Sequence, residues 1–426
     1  KKTDMPLWFG VVQNASNPRA NMSDWMLYHV WRIRGYEVQH CERVERDRLV
    51  VTITAKPHAL CCPCCGSKNV VRKGVNLRML RGVPVGRTQV HFAAHVPRVR
   101  CDRCRLTRQV RIPFADEKRR HTRQFERYAL QLAQLTTTAH AARHLGVAWD
   151  TVRDIESRYL GKQYRKPKLK HLKQIAIDEI YLGKSVKFLT VVLDLESGAI
   201  VFIGRGKGEQ ALDPFWKRLH GSRARIEAVA ADMSPAYALA VRKHLPDAVL
   251  VNDRFHVIKL YNVMLTELRR ELQREAETQL QKNVLKGTRW LLLKRLDNLD
   301  ESRNEPGRLL QALRLNQSLA VAYYLRDDLN EFWEQPDKWS AERWLQSWIE
   351  DADGSGIRLL QKFAKTLASR RSSLLAWYDY PLSTGPLEAV NNNIKLLNRQ
   401  AFGYRNREFF ELKLFALHNA RYALVG

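Results

Sequence analysis

Residues 174–180 read QIAIDEI, an apolar run that is typical of a buried strand and yet carries two adjacent carboxylates. Four comparable runs follow along the chain: KFLTVVLDLES, AIVFIGRG, RIEAVAADM and AVLVNDRF. Segments with a helical period separate the last three of these runs. Three consecutive strands followed by alternating helices and strands predict an α/β sandwich. In that fold Asp178 would close the first strand and Asp232 would close the fourth.

The two strand-end acids suggest a metal site. An ionised carboxylate at the end of a core strand is costly unless it is paired or bound to a cation. Asp178 and Asp232 would also repel each other on neighbouring strands, and a divalent ion removes both penalties. Two such ions about 3.5–4 Å apart would hold the attacking and leaving oxygens of a phosphodiester, and oxygen ligands select magnesium or manganese. The alternative is that Asp232 caps the next helix and that Asp178 is a surface carboxylate.

The charge of the chain points to a polyanionic partner. Its 426 residues include 72 Lys and Arg against 44 Asp and Glu, a net charge of +28 that is spread along the sequence. Nucleic acid is the expected partner, since each neutralised phosphate releases counterions; a solubility charge or a ribosomal-type role is the alternative. No run of about 18 or more uncharged apolar residues occurs, and no leader pattern is seen. A cytoplasmic protein without a membrane span is therefore expected.

Six of the seven cysteines lie in two tight clusters, CCPCCG at 61–66 and CDRC at 101–104. This clustering favours a metal site over extracellular disulfides, with reduced structural cysteines as the alternative. Cys61 and Cys64 have the same spacing as Cys62 and Cys65, but Pro63 and Gly66 favour the second pair. Four thiolates form a closed tetrahedral site, so the zinc would be structural. The expected ligands are Cys62, Cys65, Cys101 and Cys104.

From about residue 122 the apolar period becomes helical. TTTAHAARHLG and AWDTVRDIESRYL have the spacing of a helix-turn-helix, with Thr137 or Thr138 capping the first helix and Gly146 in the turn. The second helix of such a unit enters the major groove of DNA; two packed helices without a DNA role are the alternative. The candidate outward residues are Asp150, Thr151, Arg153, Asp154 and Arg158, of which Thr151, Arg153 and Arg158 are expected to bind DNA.

The order of these segments, together with the blocks IAIDE, AADMSPAY, NDRFHV and GPLEAVNNNIKLLNRQAFGYRN, resembles bacterial insertion-sequence transposases of the ISL3 type. The resemblance covers roughly residues 35–420. It implies an RNase H-like catalytic core with a DDE triad, Asp178, Asp232 and Glu388, that holds two catalytic Mg²⁺ (or Mn²⁺) ions. In the family the glutamate is often followed by glycine, where this chain has Ala389.

Four further residues are expected to be accessory to the triad. Helical spacing from Glu388 brings Asn391 and Lys395 near the same face of their helix, with Asn392 beside them. The DRFH segment resembles a D-x-x-H element of Mutator-like transposases, which makes Asp253 and His256 candidates. A strand end followed by a helix cap is the alternative for that segment.

The expected fold is an α/β RNase H-like core interrupted by an all-helical insertion and preceded by a small zinc ribbon and a helix-turn-helix domain. The tryptophans of the insertion, Trp333, Trp339, Trp344 and Trp348, are expected in its core, with stacking on an unpaired base as the alternative. The expected boundaries are 1–57 for an N-terminal segment, 58–114 for the zinc ribbon, 115–165 for the helix-turn-helix domain, 171–260 and 381–426 for the two parts of the core, and 261–380 for the insertion.

The resemblance implies a DNA transposase. It would bind the terminal inverted repeats of an insertion sequence, cleave there and transfer the freed 3′ end into target DNA. Two ends must meet, so a homodimer on double-stranded DNA is expected, associated with the nucleoid when bound. The alternatives are an inactive, transposase-derived DNA-binding regulator and an RNase H-type nuclease.

Overall fold

The computed structural model describes residues 22–184 and 187–420. The chain divides into two compact units, Lys1–Tyr159 and Leu160–Gly426. The first 21 residues of the predicted segment 1–57, residues 185–186 and the last six residues lie outside the described part. In the described part no helix is long and apolar enough to cross a membrane.

The first unit contains a five-stranded sheet in the order β1-β2-β4-β3, with β5 also paired to β4. Strand β2 runs parallel to β4, and the other pairs are antiparallel. The core on this sheet includes Ile53, Leu80 and Phe92, all fully buried. The elements are helix α1 (Met22–His29) and strands β1 (Tyr36–Glu45), β2 (Arg48–Ala55), β3 (Val70–Arg81), β4 (Gln89–Cys101) and β5 (Thr107–Gln109).

The sheet extends across the predicted boundary at residue 57. Strands β1 and β2 precede that boundary, yet β2 pairs with β4 from Arg48↔Gln89 to Thr54↔His95. The residues around the cysteines therefore share one sheet with the chain before them. The alternation of RLVVTITA, in which Val51, Ile53 and Ala55 are buried, is the sequence signal for this strand.

Three helices follow the sheet: α2 (Arg123–Leu135), α3 (Thr138–Leu145) and α4 (Trp149–Tyr164). Thr137 caps α3 by accepting the N–H of His140 at 3.2 Å. Gly146 ends α3 with a φ of +63°, a left-handed conformation that glycine adopts without strain. The predicted helix, turn and helix are confirmed, and Val152 and Ile155 lie in their shared core.

The second unit is built on a mixed five-stranded sheet in the order β10-β9-β6-β7-β8. Strands β6, β9 and β10 are parallel, whereas β7 and β8 continue antiparallel from β6. The five predicted strands and the two helices between them are confirmed. The elements are β6 (Gln174–Tyr181), β7 (Phe188–Asp194), β8 (Ile200–Arg205), α5 (Asp213–His220), β9 (Ala228–Ala231), α6 (Pro235–His244) and β10 (Val249–Asn252).

Each face of this sheet is covered by different helices. On one face, Ile177 and Val229 pack with Phe215 and Trp216 of α5 and with Tyr237 of α6. On the other face, Ala176, Ile180 and Ala230 pack with residues of α14 (Gly385–Gln400) and α15 (Arg407–Phe415), and α16 (Leu417–Ala420) ends the described chain. This second face carries the candidate catalytic acids.

Between β10 and α14 the chain is helical, as its period predicts. These helices share one core that includes Tyr261, Tyr323 and Phe363. Trp333 and Trp348 are buried in it and Trp344 packs against it, whereas Trp339 is 64% exposed. The helices are α7 (Arg254–Glu275), α8 (Gln279–Gly287), α9 (Glu305–Leu315), α10 (Gln317–Asp328), α11 (Lys338–Gly354), α12 (Arg358–Ser369) and α13 (Arg371–Leu375), with short 3-10 turns between them.

Candidate active site and metal centre

The pairing register of β6 and β9 brings Asp178 and Asp232 side by side. The two parallel strands pair up to Ile177↔Ala231, so the next residue on each strand is one of the two acids. Paired strands lie about 4.8 Å apart. Asp178 lies inside β6 rather than at its end as predicted, because β6 continues to Tyr181 along β7.

Helix α14 reaches this pair of acids from the face above. Side chains alternate along a strand, so Asp178 points to the same face as Ala176 and Ile180, which α14 covers. The side-chain amide of Asn391 donates to Asp178 Oδ2 at 2.8 Å. Glu388 lies one helical turn before Asn391 and is exposed. The third predicted acid is therefore carried by the helix that contacts the first.

Some neighbours of Asp178 raise its pKa and others lower it. Burial raises the pKa of Asp178, and the nearby carboxylate of Asp232 raises it further. The backbone N–H of Glu179, 2.7 Å from Oδ1, and the charges of His256 and Lys259 act to lower the same pKa. Lys259 was not singled out from the sequence, although it lies one helical turn after His256 on α7.

The loop that carries Asp232 is held by residues from distant segments. Asp232 Oδ1 accepts the N–H of Ser234 at 2.9 Å, which forms a turn before α6; the N-cap residue of that helix is Ser234 and not Asp232. The side chain of Asn252 donates to the Asp232 carbonyl at 3.3 Å and accepts the O–H of Ser373 at 2.5 Å. Arg370 donates to the Met233 carbonyl at 3.2 Å. No local sequence pattern indicates these supporting residues, because they are far apart along the chain.

The second acid of QIAIDEI has a structural role on the opposite face of the sheet. Glu179 accepts the hydroxyl of buried Tyr237 at 2.5 Å and the N–H of Gly208 at 2.8 Å. Burial and this carboxylate raise the pKa of Tyr237, so its hydroxyl keeps its proton. Tyr237 belongs to α6, which begins just after Asp232.

Asp253 joins the beginnings of two helices. Its Oδ1 accepts the N–H of Phe255 and caps α7, while its Oδ2 accepts both the N–H of Thr384, at 2.7 Å, and the Thr384 hydroxyl. Both residues are almost fully buried. Thr384 precedes α14, and its carbonyl accepts the N–H of Glu388 at 2.9 Å. The helix cap of the simpler alternative is present, and the same carboxylate also holds the helix that carries Glu388.

The carboxylates of the three candidate acids do not all lie within reach of one metal ion in this structure. Within residues 22–184 and 187–420, one group of three or more possible metal ligands has all its ligand atoms within 4.8 Å of one another, and it is the cysteine group. Lys395, the remaining accessory candidate, is exposed on α14. The structure thus brings Asp178 beside Asp232 and Asn391, with Glu388 on the adjoining turn.

The cysteine group consists of the four predicted ligands, Cys62, Cys65, Cys101 and Cys104. Cys64 is exposed outside the group. The backbone N–H of Cys65 hydrogen-bonds the sulfur of Cys62 and is the main cause that lowers the pKa of that thiol to about 6. Gly66 has a φ of +72°, the left-handed turn that lets backbone N–H groups face the sulfurs. These four thiols can hold a metal ion.

The outward face of α4 differs from the prediction at one residue. Thr151 and Arg153 are half-buried, and Arg153 pairs with Asp150 and with Asp154 at 2.8 Å. Arg158 instead pairs with Asp116 at 2.8 Å and with Glu126, whose side chain is 1% exposed. The guanidinium of Arg158 is therefore committed to the interior of the first unit, which argues against its predicted contact with DNA.

Comparison with known proteins agrees with these two units. A family model described as a transposase matches residues 175–414, and a model for the helix-turn-helix domain of transposase family ISL3 matches residues 110–160. The chain is 33% identical to the transposase for insertion sequence element IS1001 of Bordetella parapertussis, over 90% of this chain and 95% of that protein. It is 29% identical to the IS1557 transposase of Mycobacterium tuberculosis, over 86% and 87%. The chain belongs to the ISL3 family of DNA transposases, enzymes of the DDE class.

Proposed function

We propose that this transposase binds the terminal inverted repeats of its insertion sequence, cleaves DNA there and transfers the freed strand into a target. We assign the chemistry to an RNase H-like core built on β6–β10, with the helices between β10 and α14 as an insertion. Asp178, Asp232 and Glu388 are the proposed catalytic acids. The observation that carries the assignment is the Ile177↔Ala231 register, which makes the first two acids neighbours.

The donor set suits a hard divalent cation such as Mg²⁺ or Mn²⁺, and we infer two ions. Asp178 and Asp232 supply carboxylate oxygens, and the side chain of Asn391, which donates to Asp178, has a buried Oδ1 with no hydrogen-bond partner among the described residues. Oxygen donors of this kind favour these ions over softer metals. Bound divalent ions would supply stabilisation of charge on the attacking and leaving oxygens.

The other residues would position the acids and the phosphate. Asn391 orients Asp178, and the exposed Glu388 would turn toward the pair when DNA binds. His256 and Lys259 lie near Asp178, where a phosphodiester would lie, and the ammonium group of Lys259 adds positive charge there. Asp253 fixes the start of α14 through Thr384 and so sets the distance from Glu388 to the sheet.

For the first unit we propose a structural zinc and recognition of DNA ends. A Zn–S bond of about 2.3 Å puts tetrahedral sulfurs about 3.8 Å apart, and the Cys65 and Cys101 sulfurs are separated by 3.6 Å. Thr151 and Arg153 of α4 would contact the DNA, as in other helix-turn-helix units. Two such chains, each on one element end, would form the active homodimer.

A strand-transfer assay with inverted-repeat DNA and Mg²⁺ tests the proposal. The wild type should nick at the repeat end and join that end to a target duplex, whereas Asp178→Asn should bind the end and cut nothing. End binding without cleavage by the wild type would support the inactive regulator. Cutting without joining and without preference for repeat ends would support the nuclease.

A further inference from the structure

A stripe of exposed side chains begins at the candidate active site and runs the length of α14. Glu388, Asn392, Lys395 and Arg399 are all exposed, and their spacing of four, three and four residues puts them on one helical face. The adjoining side of the helix, with Leu387, Asn391 and Ile394, is buried. The stripe therefore connects the proposed third acid to the far end of the helix.

Phe402 stands at the end of this stripe, and its side chain is 100% exposed. It follows the C-cap residue Ala401 of α14 and has a φ of +53°, a left-handed conformation that usually requires glycine. An exposed phenylalanine does not contribute to the core, and in this conformation it does not favour formation of the turn. The left-handed backbone is costly for folding and burial of the ring offsets none of that cost, which is typical of a residue kept for function.

The loop that presents Phe402 is fixed on both sides. The N–H of Phe402 donates to the Arg399 carbonyl at 3.0 Å, and that of Gly403 donates to the Asn398 carbonyl at 2.9 Å. Tyr404 stacks on Phe410 with ring centroids 4.6 Å apart, and Asn406 caps α15. The aromatic ring is therefore held outward by an ordered backbone.

The charge around Phe402 favours a nucleic acid as the group that covers it. Residues 395–407 contain four basic side chains and no Asp or Glu. Protein interfaces are built around clusters of apolar or aromatic residues with few charges at their centre, whereas DNA-bending proteins insert single apolar wedges, phenylalanine among them, between basic phosphate contacts.

We propose that the stripe is a DNA track, on which Lys395 and Arg399 contact successive phosphates and Phe402 inserts beside a base. This inference rests on the proposed role of Glu388 at the cleaved phosphate. The rise of 1.5 Å per residue puts Phe402 about 20 Å from Glu388 along the helix. At 3.4 Å per base pair, the opened base step lies about six base pairs from the cleavage position.

A duplex that carries the element end, with 2-aminopurine placed at one position at a time, tests this inference. With full-length wild type and Ca²⁺ in place of Mg²⁺, fluorescence should rise at a position about six base pairs from the cut. Phe402→Ala should abolish the rise and weaken binding about tenfold, as expected for one lost base stack, while Phe402→Trp should keep the rise. Leu396→Ala, which removes another exposed apolar side chain of α14, is the matched control and should change neither.

Phe402→Gly separates this role from folding. Glycine relieves the left-handed backbone, so the melting temperature should rise while the fluorescence signal is lost. An unchanged signal in Phe402→Ala, or no rise at any position with the wild type, overturns the inference. A change in the sedimentation of the DNA-free protein caused by Phe402→Ala would also overturn it, because the ring would then contact a second copy. Cleavage by Asp178→Asn would instead defeat the proposed acids and leave the fluorescence result standing.

Discussion

Asp178 and Glu179 are neighbours in the sequence, but their carboxylates lie on opposite faces of β6. Asp178 lies under α14 beside Asp232, where its charge is costly, and Glu179 accepts two hydrogen bonds from Tyr237 and Gly208. The period of two along a strand is enough to give adjacent acids different environments. Substitutions at the two positions should therefore have opposite effects on stability and activity.

Asp178→Asn should abolish cleavage while the melting temperature stays the same or rises, because asparagine removes a buried charge that repels Asp232. Glu179→Ala should lower the free energy of unfolding by about 1–3 kcal/mol, since it leaves the buried Tyr237 hydroxyl without an acceptor. Thermal unfolding and a nicking assay on the same samples measure both. Tyr237→Phe is the matched control, and combined with Glu179→Ala it should cost less than the sum of the two.

Asp253→Asn should reduce cleavage and raise the Mg²⁺ concentration needed for half-maximal activity. An amide cannot accept from both the N–H and the hydroxyl of Thr384 while it caps α7, so the start of α14 shifts. Thr384→Ser keeps both donors and should behave as the wild type. An unchanged metal requirement in Asp253→Asn, with lowered stability alone, would show that the residue only supports the fold.

Helix α4 contains two arginines with different surroundings. Arg153 lies on the outward side of the helix over Trp149, with the guanidinium carbon 5.1 Å from the ring centre. Arg158, little more than one turn later, ties α4 to Asp116 and to the buried Glu126 of α2. Arg153 pairs with acids of its own helix, whereas Arg158 joins two helices of the unit.

Arg158→Ala should destabilise the first unit by about 3–5 kcal/mol, because it leaves the Glu126 carboxylate buried without its ion pair. Arg153→Ala should leave the melting temperature unchanged and weaken binding to repeat-end DNA. Calorimetry and a binding titration distinguish the two variants. Equal stability of both proteins would contradict the structural role of Arg158.

The cysteine knuckles should depend on metal. Cys101→Ser should lose the zinc and weaken end recognition, because one of four closely spaced sulfurs is replaced by a poorer ligand. Cys64→Ser, which alters an exposed cysteine outside the group, should retain the metal. Native mass spectrometry measures the metal content of each, and loss from Cys64→Ser would mean that the first knuckle uses the other pair.

Elements with a local signal could be predicted from the sequence, and contacts between distant segments could not. The strands of the second unit, the caps at Thr137 and Gly146 and the preferred cysteine pair follow from period, turn residues and spacing. The bond from Asp253 to Thr384 joins residues 131 positions apart, and the parallel pairing of β2 with β4 joins strands separated by β3. The ion pairs of Arg158 are of the same kind, because helical spacing indicates a face of α4 but does not show which acids lie opposite it.

The net charge of +28 over the whole chain should make DNA binding strongly dependent on salt. If six to ten phosphates are contacted, affinity should fall by about 10³–10⁵ between 50 and 200 mM salt. A duplex of unrelated sequence should show a similar slope at lower affinity, since phosphate contacts carry no sequence information. A titration at four salt concentrations measures the slope, and a slope near zero would contradict a phosphate-based interface.

The carboxylate of Asp253 joins the first turn of α7 to Thr384, the residue before α14, across 131 positions of chain. The helical segment between Asp253 and Thr384 therefore leaves the sheet and returns to it at the same place. Evolution could lengthen, shorten or replace this segment without moving Glu388. The condition is that Arg370 and Ser373 still support the loop that carries Asp232. For the same reason, the outer turns of this segment are a suitable place to insert a reporter or a targeting module into an active enzyme.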